Sequence, residues 1–413
     1  MSANDIGTSM SGTAIAIIGA GPIGLEAALA ALARGYAVEI FERGAVAEAV
    51  REWGHVGMFS PFGMNATTRA LAQLQAAGAT LPGPEELLTG AEFRTRYLAP
   101  LARTLPPGVL HENTTVVALG RSRILKGDHI GAPTRNATPF RLLLQTGDQE
   151  RIVHADAVLD CSGTYGQPNR LGDGGIPVPG ERVCADHIHH GIPDLAGAAR
   201  AQFDRRRVLV VGAGHSAATV ICQLAALHPE TEIHWLLRRD RELPGEEVAE
   251  DPLPARARLV AAANRLVRED RVTLHRTASV EAIAPQEGAL AVVLTSSTGS
   301  CTITVDELVA ATGFRPDLML TRELQVQTCW ATEGTYPLAA SLLGEAGADC
   351  LQTPAFGAEM LMHPEPGFFT LGMKSYGRSP NFLLRTGYEQ VEMVLDWMDA
   401  QRPSRSRSRS VAG

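Results

Sequence analysis

Two stretches of the sequence carry small residues at the spacing of a phosphate-binding turn. In the first, Ala14–Arg43, an apolar run rich in β-branched residues leads directly into Gly19, Gly21 and Gly24. The first glycine permits a sharp turn out of a strand, the second lets backbone N–H groups approach a pyrophosphate, and the third lets the next helix pack closely on the sheet. A purely structural turn is the alternative. A strand over 14–18, the glycines, a helix over about 22–33 and a second strand over 37–41 in one short unit favour dinucleotide binding.

The second stretch repeats this arrangement about two hundred residues later. The apolar run 208–211 leads into Gly212 and Gly214, which are followed by Ser216 and by Ala217 in place of the third glycine. Alanine at that position keeps the helix close to the sheet and permits slightly more separation. The stretch therefore predicts a second dinucleotide site, with Ser216 in the first turn of its helix.

The residues that end the second strand of each unit differ in charge. In the first unit Glu42, followed by Arg43, can accept a hydrogen bond from a ribose 2′-hydroxyl. In the second unit Arg238 and Arg239 occupy that place, and guanidinium groups can bind a 2′-phosphate that a carboxylate would repel. We therefore expect NADPH in preference to NADH in the second site. The alternative is a solvated basic turn.

Both units close through similar segments. DAVLDCSG at 156–163 and DELVAATG at 306–313 have the same spacing from acid to glycine, and each predicts a buried strand that ends on a small-residue turn. A strand over 114–119, which contains Val117, precedes a small antiparallel pair in the first unit, and a similar meander precedes 306–313. The duplication predicts an α/β fold with two Rossmann-like dinucleotide-binding domains, the second inserted in the first.

Composition limits the other classes of function. The chain has 413 residues, is 45% hydrophobic and 20% charged, and has a formal net charge of −8, which disfavours binding to nucleic acid or to an anionic membrane. The uncharged stretch between Asp5 and Glu26 is broken by Gly and Pro, so it is expected to be the first βα unit and neither a signal peptide nor a membrane span. Six cysteines are scattered without a CxxC or CxxxxC pair, which fits a reducing cytoplasm.

The segment 50–71 is an irregular insertion after Glu42. It is predicted to leave the carboxyl edge of the sheet, where ligands bind in open α/β folds. Its aromatic, Met, His and Asn side chains could face a flat, partly apolar ring system, although the loop could also only cap the core. The side chains with this potential are Trp53, His55, Met58, Phe59, Ser60 and Asn65. For His55 a structural role and an acid–base role both remain open.

Two further segments have alternative interpretations. His187, His189 and His190 could bind a metal ion, but histidines in such a crossover more often hydrogen-bond backbone, and no acidic cluster lies near them in the sequence, so no metal site is predicted. Residues 321–363 show no clear period and could shape a substrate pocket or form a surface excursion. Near the C-terminus, 368–371 predicts a strand and 381–398 an amphipathic helix.

These residues carry a resemblance to the two-dinucleotide-binding-domain flavoproteins. The segment GAGHSAATVICQL is similar to a segment of the N-hydroxylating flavin monooxygenases, and AATGF at 310–314 is similar to their Ala-Thr-Gly-Tyr element. The class B monooxygenases belong to the same superfamily. The resemblance implies FAD in the first domain and NADPH in the second. The expected divisions are a flexible N-terminus (1–12), the first part of the FAD-binding domain (13–175), the NADPH-binding domain with its linkers (176–313), the second part of the FAD-binding domain (314–400) and a disordered Arg/Ser tail (401–413).

The resemblance also implies the roles of several residues. The N-terminus of the last helix would point at the flavin pyrimidine edge, where reduced flavin accumulates negative charge. Nearby cofactor candidates are Gly372, Lys374 and Asn381, with Tyr376 and Arg378 as catalytic candidates beside His55 and Asn65. The remaining cofactor candidates are the fingerprint residues and their neighbours, with Trp53, Met58 and Val117, and the closing-turn residues Ser162, Gly163, Thr312 and Gly313.

Departures from the relatives narrow the expected activity. The dithiol of the disulfide reductases is missing, their Gly-Asp pair is replaced by Gly372-Met373, and 179–195 lacks the class B signature. The resemblance therefore implies an NADPH-dependent FAD monooxygenase that uses O₂ and a flavin C4a-peroxide to oxygenate a small molecule. A reductase or oxidase with a non-disulfide acceptor and a non-catalytic redox sensor are the alternatives. The sequence leaves self-association open.

Overall fold

The first dinucleotide unit folds with the element bounds that the sequence predicts. The computed structural model describes residues 13–344 and 357–402, so the expectations for 1–12 and for 403–413 lie outside the described residues. Within this part the chain forms sixteen strands: β1 (Ala14–Ile18), β2 (Ala37–Phe41), β3 (Leu110–His111), β4 (Thr115–Arg121), β5 (Phe140–Thr146), β6 (Gln149–Ala155), β7 (Ala157–Asp160), β8 (Ile188–His190), β9 (Arg207–Val211), β10 (Glu232–Leu236), β11 (Thr273–His275), β12 (Ala278–Gln286), β13 (Ala289–Ser296), β14 (Gly299–Val305), β15 (Glu307–Ala310) and β16 (Phe368–Thr370).

The same part of the chain forms eleven α-helices, most of them short connections between the strands. They are α1 (Pro22–Ala33), α2 (Glu48–Glu52), α3 (Thr68–Ala76), α4 (Gly90–Phe93), α5 (Ala99–Arg103), α6 (Arg200–Phe203), α7 (His215–Leu227), α8 (Pro254–Arg268), α9 (Tyr336–Gly344), α10 (Met373–Tyr376) and α11 (Leu384–Gln401). None of these helices combines the length and the apolar character that a bilayer crossing demands.

Two five-stranded parallel sheets share one strand order. The first runs β16-β7-β1-β2-β3 and the second β8-β15-β9-β10-β11, with the fingerprint strand at the centre of each. Each domain also contains a three-stranded antiparallel sheet, β4-β5-β6 or β12-β13-β14. The first strand of each antiparallel sheet has a register shift, at Val116/Ala118 and at Val280/Ala282. The predicted α/β fold with two Rossmann-like domains is confirmed.

The chain passes from the first domain to the second and back again through two segments that lie side by side. The second sheet, β8 to β15, is built from one continuous segment, whereas the first sheet takes its outer strand β16 from beyond that segment. At the crossing, Asn169 N donates to the Gly313 carbonyl at 2.9 Å and Arg315 N donates to the Gln167 carbonyl at 2.9 Å. The second domain is therefore inserted in the first.

Helices cover one face of each sheet and the antiparallel strands cover the other. In the first domain α1 is buried along nearly its whole length because its core-facing and neighbouring positions are small, and α11 packs beside it. The apolar side chains of α11 and α1 form one core with Ile15, Ile17 and Leu159, while Val158 and Phe368 face the antiparallel strands. The two cores lie on opposite faces of the sheet because successive side chains of a β-strand, here β7 and β16, point to opposite faces.

Two element predictions near the C-terminus need correction. The last helix begins at Leu384, three residues after the predicted start, and runs on to Gln401. The segment before it follows Pro380, and the Phe382 ring packs on Tyr376 with centroids 5.4 Å apart. Residues 321–363, for which no period was found, contain helix α9 and the 3₁₀ turn Ala358–Leu361.

Candidate dinucleotide sites

The first glycine turn has the geometry of a ligand cradle. Gly19 has φ +97°, and a Cβ there would lie 2.9 Å from the Cys161 carbonyl oxygen. A Cβ on Gly24 would lie 1.9 Å from the Gly19 carbonyl oxygen, so this glycine lets α1 approach the turn. At Gly21, by contrast, no heavy atom lies within 4 Å of the added Cβ. Open space at the N-terminus of a helix is a place where phosphate groups can bind in proteins.

Glu42 is fixed at the end of β2 by backbone amides. Its buried carboxylate accepts hydrogen bonds from Ala20 N at 2.8 Å and Gly44 N at 2.9 Å. These bonds occupy one acceptor position on each oxygen and leave lone pairs for a further donor such as a ribose hydroxyl. Arg43, which follows, is exposed and its guanidinium lies against Gly166.

The second turn repeats the geometry of the first. Gly212 has φ +138°, and its added Cβ would meet the Ala311 carbonyl oxygen at 2.3 Å, whereas Gly214 again borders open space. Ala217 is fully buried against the sheet and Ser216 is exposed in the first turn of α7. This agreement between two segments of different sequence indicates a second cradle of the same kind.

Arg238 and Arg239 lie just beyond β10 and are exposed. Within 13–344 and 357–402, no acidic side chain forms an ion pair with either guanidinium, so both are free to meet an anion. Arg276, which the sequence analysis did not single out, follows the neighbouring strand β11 and donates to the Glu242 carbonyl at 2.9 Å. The loop after β10 is thus lined by guanidinium groups from two strands.

The two closing segments are also equivalent in structure. Asp156 accepts a hydrogen bond from Ala14 N and Asp306 accepts one from Arg207 N, both at 2.8 Å, so each acid anchors the start of its fingerprint strand. Gly163 and Gly313 both have positive φ. The Thr312 hydroxyl donates to the Asn169 carbonyl at 2.8 Å, and its predicted cofactor contact stays a prediction.

The loop 50–71 bridges the two domains. His55 Nε2 lies 2.9 Å from the Ile192 carbonyl oxygen, and the Phe59 ring meets the His215 ring edge-on with centroids 5.8 Å apart. Trp53 stacks on Tyr165 and packs, with Met58, against the core. His55 therefore has a backbone partner in the other domain, which is the structural one of its two predicted roles.

Asn65 has its polar atoms engaged within its own turn. Its Nδ2 donates to the Ser60 and Pro61 carbonyls at 3.1 and 3.0 Å, and its Oδ1 lies 3.0 Å from the Ser60 hydroxyl. The Asn65 carbonyl oxygen accepts from the Tyr388 hydroxyl at 2.8 Å. The side chain therefore fixes its own turn, and the main-chain carbonyl holds the loop against α11.

The C-terminal candidates divide into buried and exposed groups. Lys374 and Tyr376 are buried, and Lys374 Nζ lies 2.7 Å from Asp160 Oδ2. Arg378 and Asn381 are exposed. Gly372 has φ +70° and its N–H donates to Gln390 Oε1 of α11 at 2.8 Å, which ties the turn to the last helix. Val117 lies at the bulge of β4 and is about half exposed.

Two histidines of the segment 187–190 pair with a carboxylate. The prediction that they hydrogen-bond backbone groups was therefore wrong. His189 Nε2 lies 2.7 Å and His187 Nδ1 lies 3.4 Å from the two oxygens of Glu307. Glu307 is 120 residues away from His187 in the chain, so its proximity was not visible as a sequence neighbour. In the described part of the chain no group of three His, Cys, Asp or Glu side chains is arranged to hold a metal ion.

Two equivalent cradles in nested parallel sheets define an oxidoreductase-type protein with two dinucleotide sites. Residues 106–334, more than half of the chain, match the pyridine nucleotide-disulphide oxidoreductase family, and the chain belongs to that family. Members of this family are NAD(P)-dependent flavoprotein oxidoreductases that bind a flavin and NAD(P). A comparison with curated protein sequences finds no match.

Solved structures with the same fold cover nearly the whole chain. Bacillithiol disulfide reductase from Bacillus cereus is 17% identical with a TM-score of 0.70, and the match covers 94% of this chain and 99% of that one. An ornithine N-hydroxylase from Kutzneria, solved with reduced FAD, NADP⁺ and L-ornithine, is 17% identical with a TM-score of 0.62 and coverages of 95% and 100%. Thioredoxin reductase from T. acidophilum is 14% identical with a TM-score of 0.59 and coverages of 93% and 98%.

Proposed function

We propose that the protein is an NADPH-dependent FAD monooxygenase that oxygenates a small molecule at nitrogen, sulfur or a carbonyl group. The observation that carries this proposal is the lack of a redox pair among the cysteines beside the first cradle. Cys161, which adjoins Gly19, is buried, and burial together with the Asp160 charge raises the pKa of its thiol. A thiol that stays protonated is a poor nucleophile, which disfavours Cys161 as a relay to a disulfide and favours a diffusible acceptor for the electrons of the reduced flavin.

The overall reaction balances as NADPH, H⁺, O₂ and substrate giving NADP⁺, water and oxygenated substrate. When bound, the flavin accepts the hydride and supplies the oxygen chemistry. Gly21 and Gly214 admit the two pyrophosphates, and Arg238 and Arg239 bind the 2′-phosphate. The loop 50–71 lies between the cradles, where it excludes water. The ornithine N-hydroxylase structure supports the proposal because that protein shares the fold over its whole length.

The proposal is tested by the fate of the oxygen that NADPH turnover consumes. Purified FAD-loaded protein is given NADPH in air with a panel of amines, thioethers and ketones, and NADPH loss, hydrogen peroxide and product are measured together. We expect one substrate class to speed NADPH oxidation and to lower the peroxide yield per NADPH, with product labelled from ¹⁸O₂. Peroxide equal to NADPH oxidised with every compound would contradict the proposal.

A reductase that uses a small-molecule acceptor is the second candidate. The full-length similarity to bacillithiol disulfide reductase favours it, since that protein shares the same arrangement of two domains. Such an enzyme would oxidise NADPH under nitrogen when its acceptor is added, which a monooxygenase does not do. If NADPH reduces the flavin only negligibly, the third interpretation, a redox-sensing flavoprotein, is favoured.

The scattered cysteines fit a reducing cytoplasm, which we propose as the location.

The Arg238→Gln/Arg239→Gln variant should lose the preference for NADPH. Each guanidinium can form charge-assisted hydrogen bonds to a 2′-phosphate, so removing both should raise the Kd for NADPH by about 10–100-fold and leave the Kd for NADH unchanged. Arg258→Gln, which changes an exposed arginine of α8, is the control. Titration of each variant with both nucleotides measures the effect. Equal weakening for NADPH and NADH would refute a 2′-phosphate site.

A further inference from the structure

We propose that Asp160 and Lys374 form a built-in charge pair that positions a cation beside the flavin and thereby tunes both FAD affinity and the flavin reduction potential. The pair joins two segments 214 residues apart in the chain. Asp160 ends β7, and Lys374 lies in α10 directly after the Gly372 turn. The inference rests on flavin in the first cradle and does not depend on oxygen transfer.

The pair lies where three segments of the first cradle meet. The main chain at Cys161 and Ser162 packs against Gly19, and an added Cβ on Gly372 would lie 3.0 Å from Ile23 in the first turn of α1. The open space beside Gly21 borders the same turn. Because Asp160 and Lys374 adjoin these contacts, they lie at the carboxyl edge of the sheet beside the first cradle, where we propose that the flavin binds.

The hydrogen bonds around the pair connect it to an exposed group. Lys374 Nζ donates to Asp160 Oδ2 at 2.7 Å and to the Ser162 hydroxyl at 3.0 Å, while Asp160 Oδ1 accepts from that hydroxyl at 2.6 Å. The Asp160 and Lys374 side chains are 0% and 3% exposed, whereas Ser162 is exposed. Two of the three N–H donors of Lys374 are used in these bonds, and the exposed Ser162 links the buried pair to the surface of the cradle.

A buried ion pair is not required to stabilise this core. Taking two charges out of water costs free energy, and well-packed apolar residues often stabilise a protein as much or more. The residue after Gly372 is Met373, which carries no charge. The structure supplies a carboxylate at the same turn from the neighbouring strand β7, together with a cation.

His363, a titratable group on the far side of the neighbouring strand β16, does not neutralise the pair. His363 Nε2 lies 3.1 Å from the Thr370 hydroxyl, and Thr370 is the register partner of Asp160 on β16. Burial lowers the pKa of His363 to about 4, so the imidazole is uncharged near neutral pH. Loss of Lys374 would therefore leave the Asp160 carboxylate without a counter-charge beside the flavin.

Three variants separate an electrostatic role from a structural one. Lys374→Gln leaves a buried anion, which should lower the flavin reduction potential and weaken FAD binding by about tenfold. Asp160→Asn leaves the cation, which should raise the potential. The double variant carries neither charge and should lie between the two. Reduction potentials of the FAD-loaded proteins and FAD titrations of the apoproteins measure these shifts without any substrate.

The direction of the two shifts decides the proposal. A structural role predicts lower melting temperatures for both single variants and no change in potential, and that result would overturn the proposal. Shifts of the two single variants in the same direction would overturn it too. Should either single variant not fold, the double variant replaces it as the test. The remaining single variant and the double variant must then differ in flavin reduction potential in the predicted direction, and equal potentials would refute the role.

Discussion

Replacing Glu365 with alanine should lower the free energy of unfolding by about 3–5 kcal/mol, because two buried guanidinium groups would lose their counter-charge. Glu365 is fully buried between Arg121 and Arg135, which are also buried. Arg121 Nε donates to Oε1 at 2.8 Å and Arg135 Nη2 donates to Oε2 at 2.7 Å. Gln325 N donates to Oε2 at 2.7 Å. Urea denaturation followed by circular dichroism measures the loss.

The matched control is Glu86→Ala, which removes an exposed ion pair with Arg96 and should change stability little. Lowering the pH should destabilise the wild-type protein as the Glu365 substitution does, because protonation removes the negative charge of the carboxylate. Burial by itself would raise the pKa of Glu365, but the bonds from Arg135, Gln325 and Arg121 outweigh burial and hold this pKa below its usual value. The stabilisation is therefore full above the unfolded-state pKa and is lost as the pH falls through the folded-state pKa. Equal stability of the two variants at neutral pH would contradict the prediction.

Gly21→Val should abolish flavin binding in a folded protein. The backbone of Gly21, with φ −76° and ψ −175°, is accessible to valine, and no protein atom lies within 4 Å of the added Cβ. The side chain would instead fill the space of the pyrophosphate and raise the FAD Kd by about 100-fold or more. Flavin absorbance after gel filtration and circular dichroism measure binding and folding.

Two other glycines make this experiment specific. Gly127 also borders open space without positive φ, but in an exposed loop away from the cradle, so Gly127→Val should keep the flavin. Gly24→Ala places a Cβ 1.9 Å from the Gly19 carbonyl oxygen and should disturb the packing of α1. A yellow Gly21→Val protein with wild-type affinity would show that the pyrophosphate lies elsewhere.

Local patterns were sufficient to predict both dinucleotide units. The glycine spacing, the β-branched runs and the closing acids are features of adjacent residues, and β1, α1 and β2 have the predicted bounds. The nesting followed from the repeat of DAVLDCSG as DELVAATG. The open space beside Gly21 and Gly214 could be predicted for the same reason, since the turn itself creates it.

The partners of individual polar side chains could not be predicted in this way. His55 binds a carbonyl 137 residues away, and the carboxylate beside Lys374 comes from the neighbouring strand. Only the fold brings such groups together. Asp160 carried a weak signal, because an acid at the end of an otherwise apolar strand needs a buried partner. Helix α9 was missed because its stripe of apolar residues is short and follows an irregular segment.

The borrowed outer strand of the first sheet has a consequence for synthesis on the ribosome. β16 pairs with β7, yet Phe368–Thr370 leave the ribosome after the entire inserted domain has been made. The inserted domain can complete its sheet first, while the earlier half waits with β7 as an unpaired edge. A product that ends before Phe368 keeps that apolar edge open, which makes truncated chains candidates for aggregation.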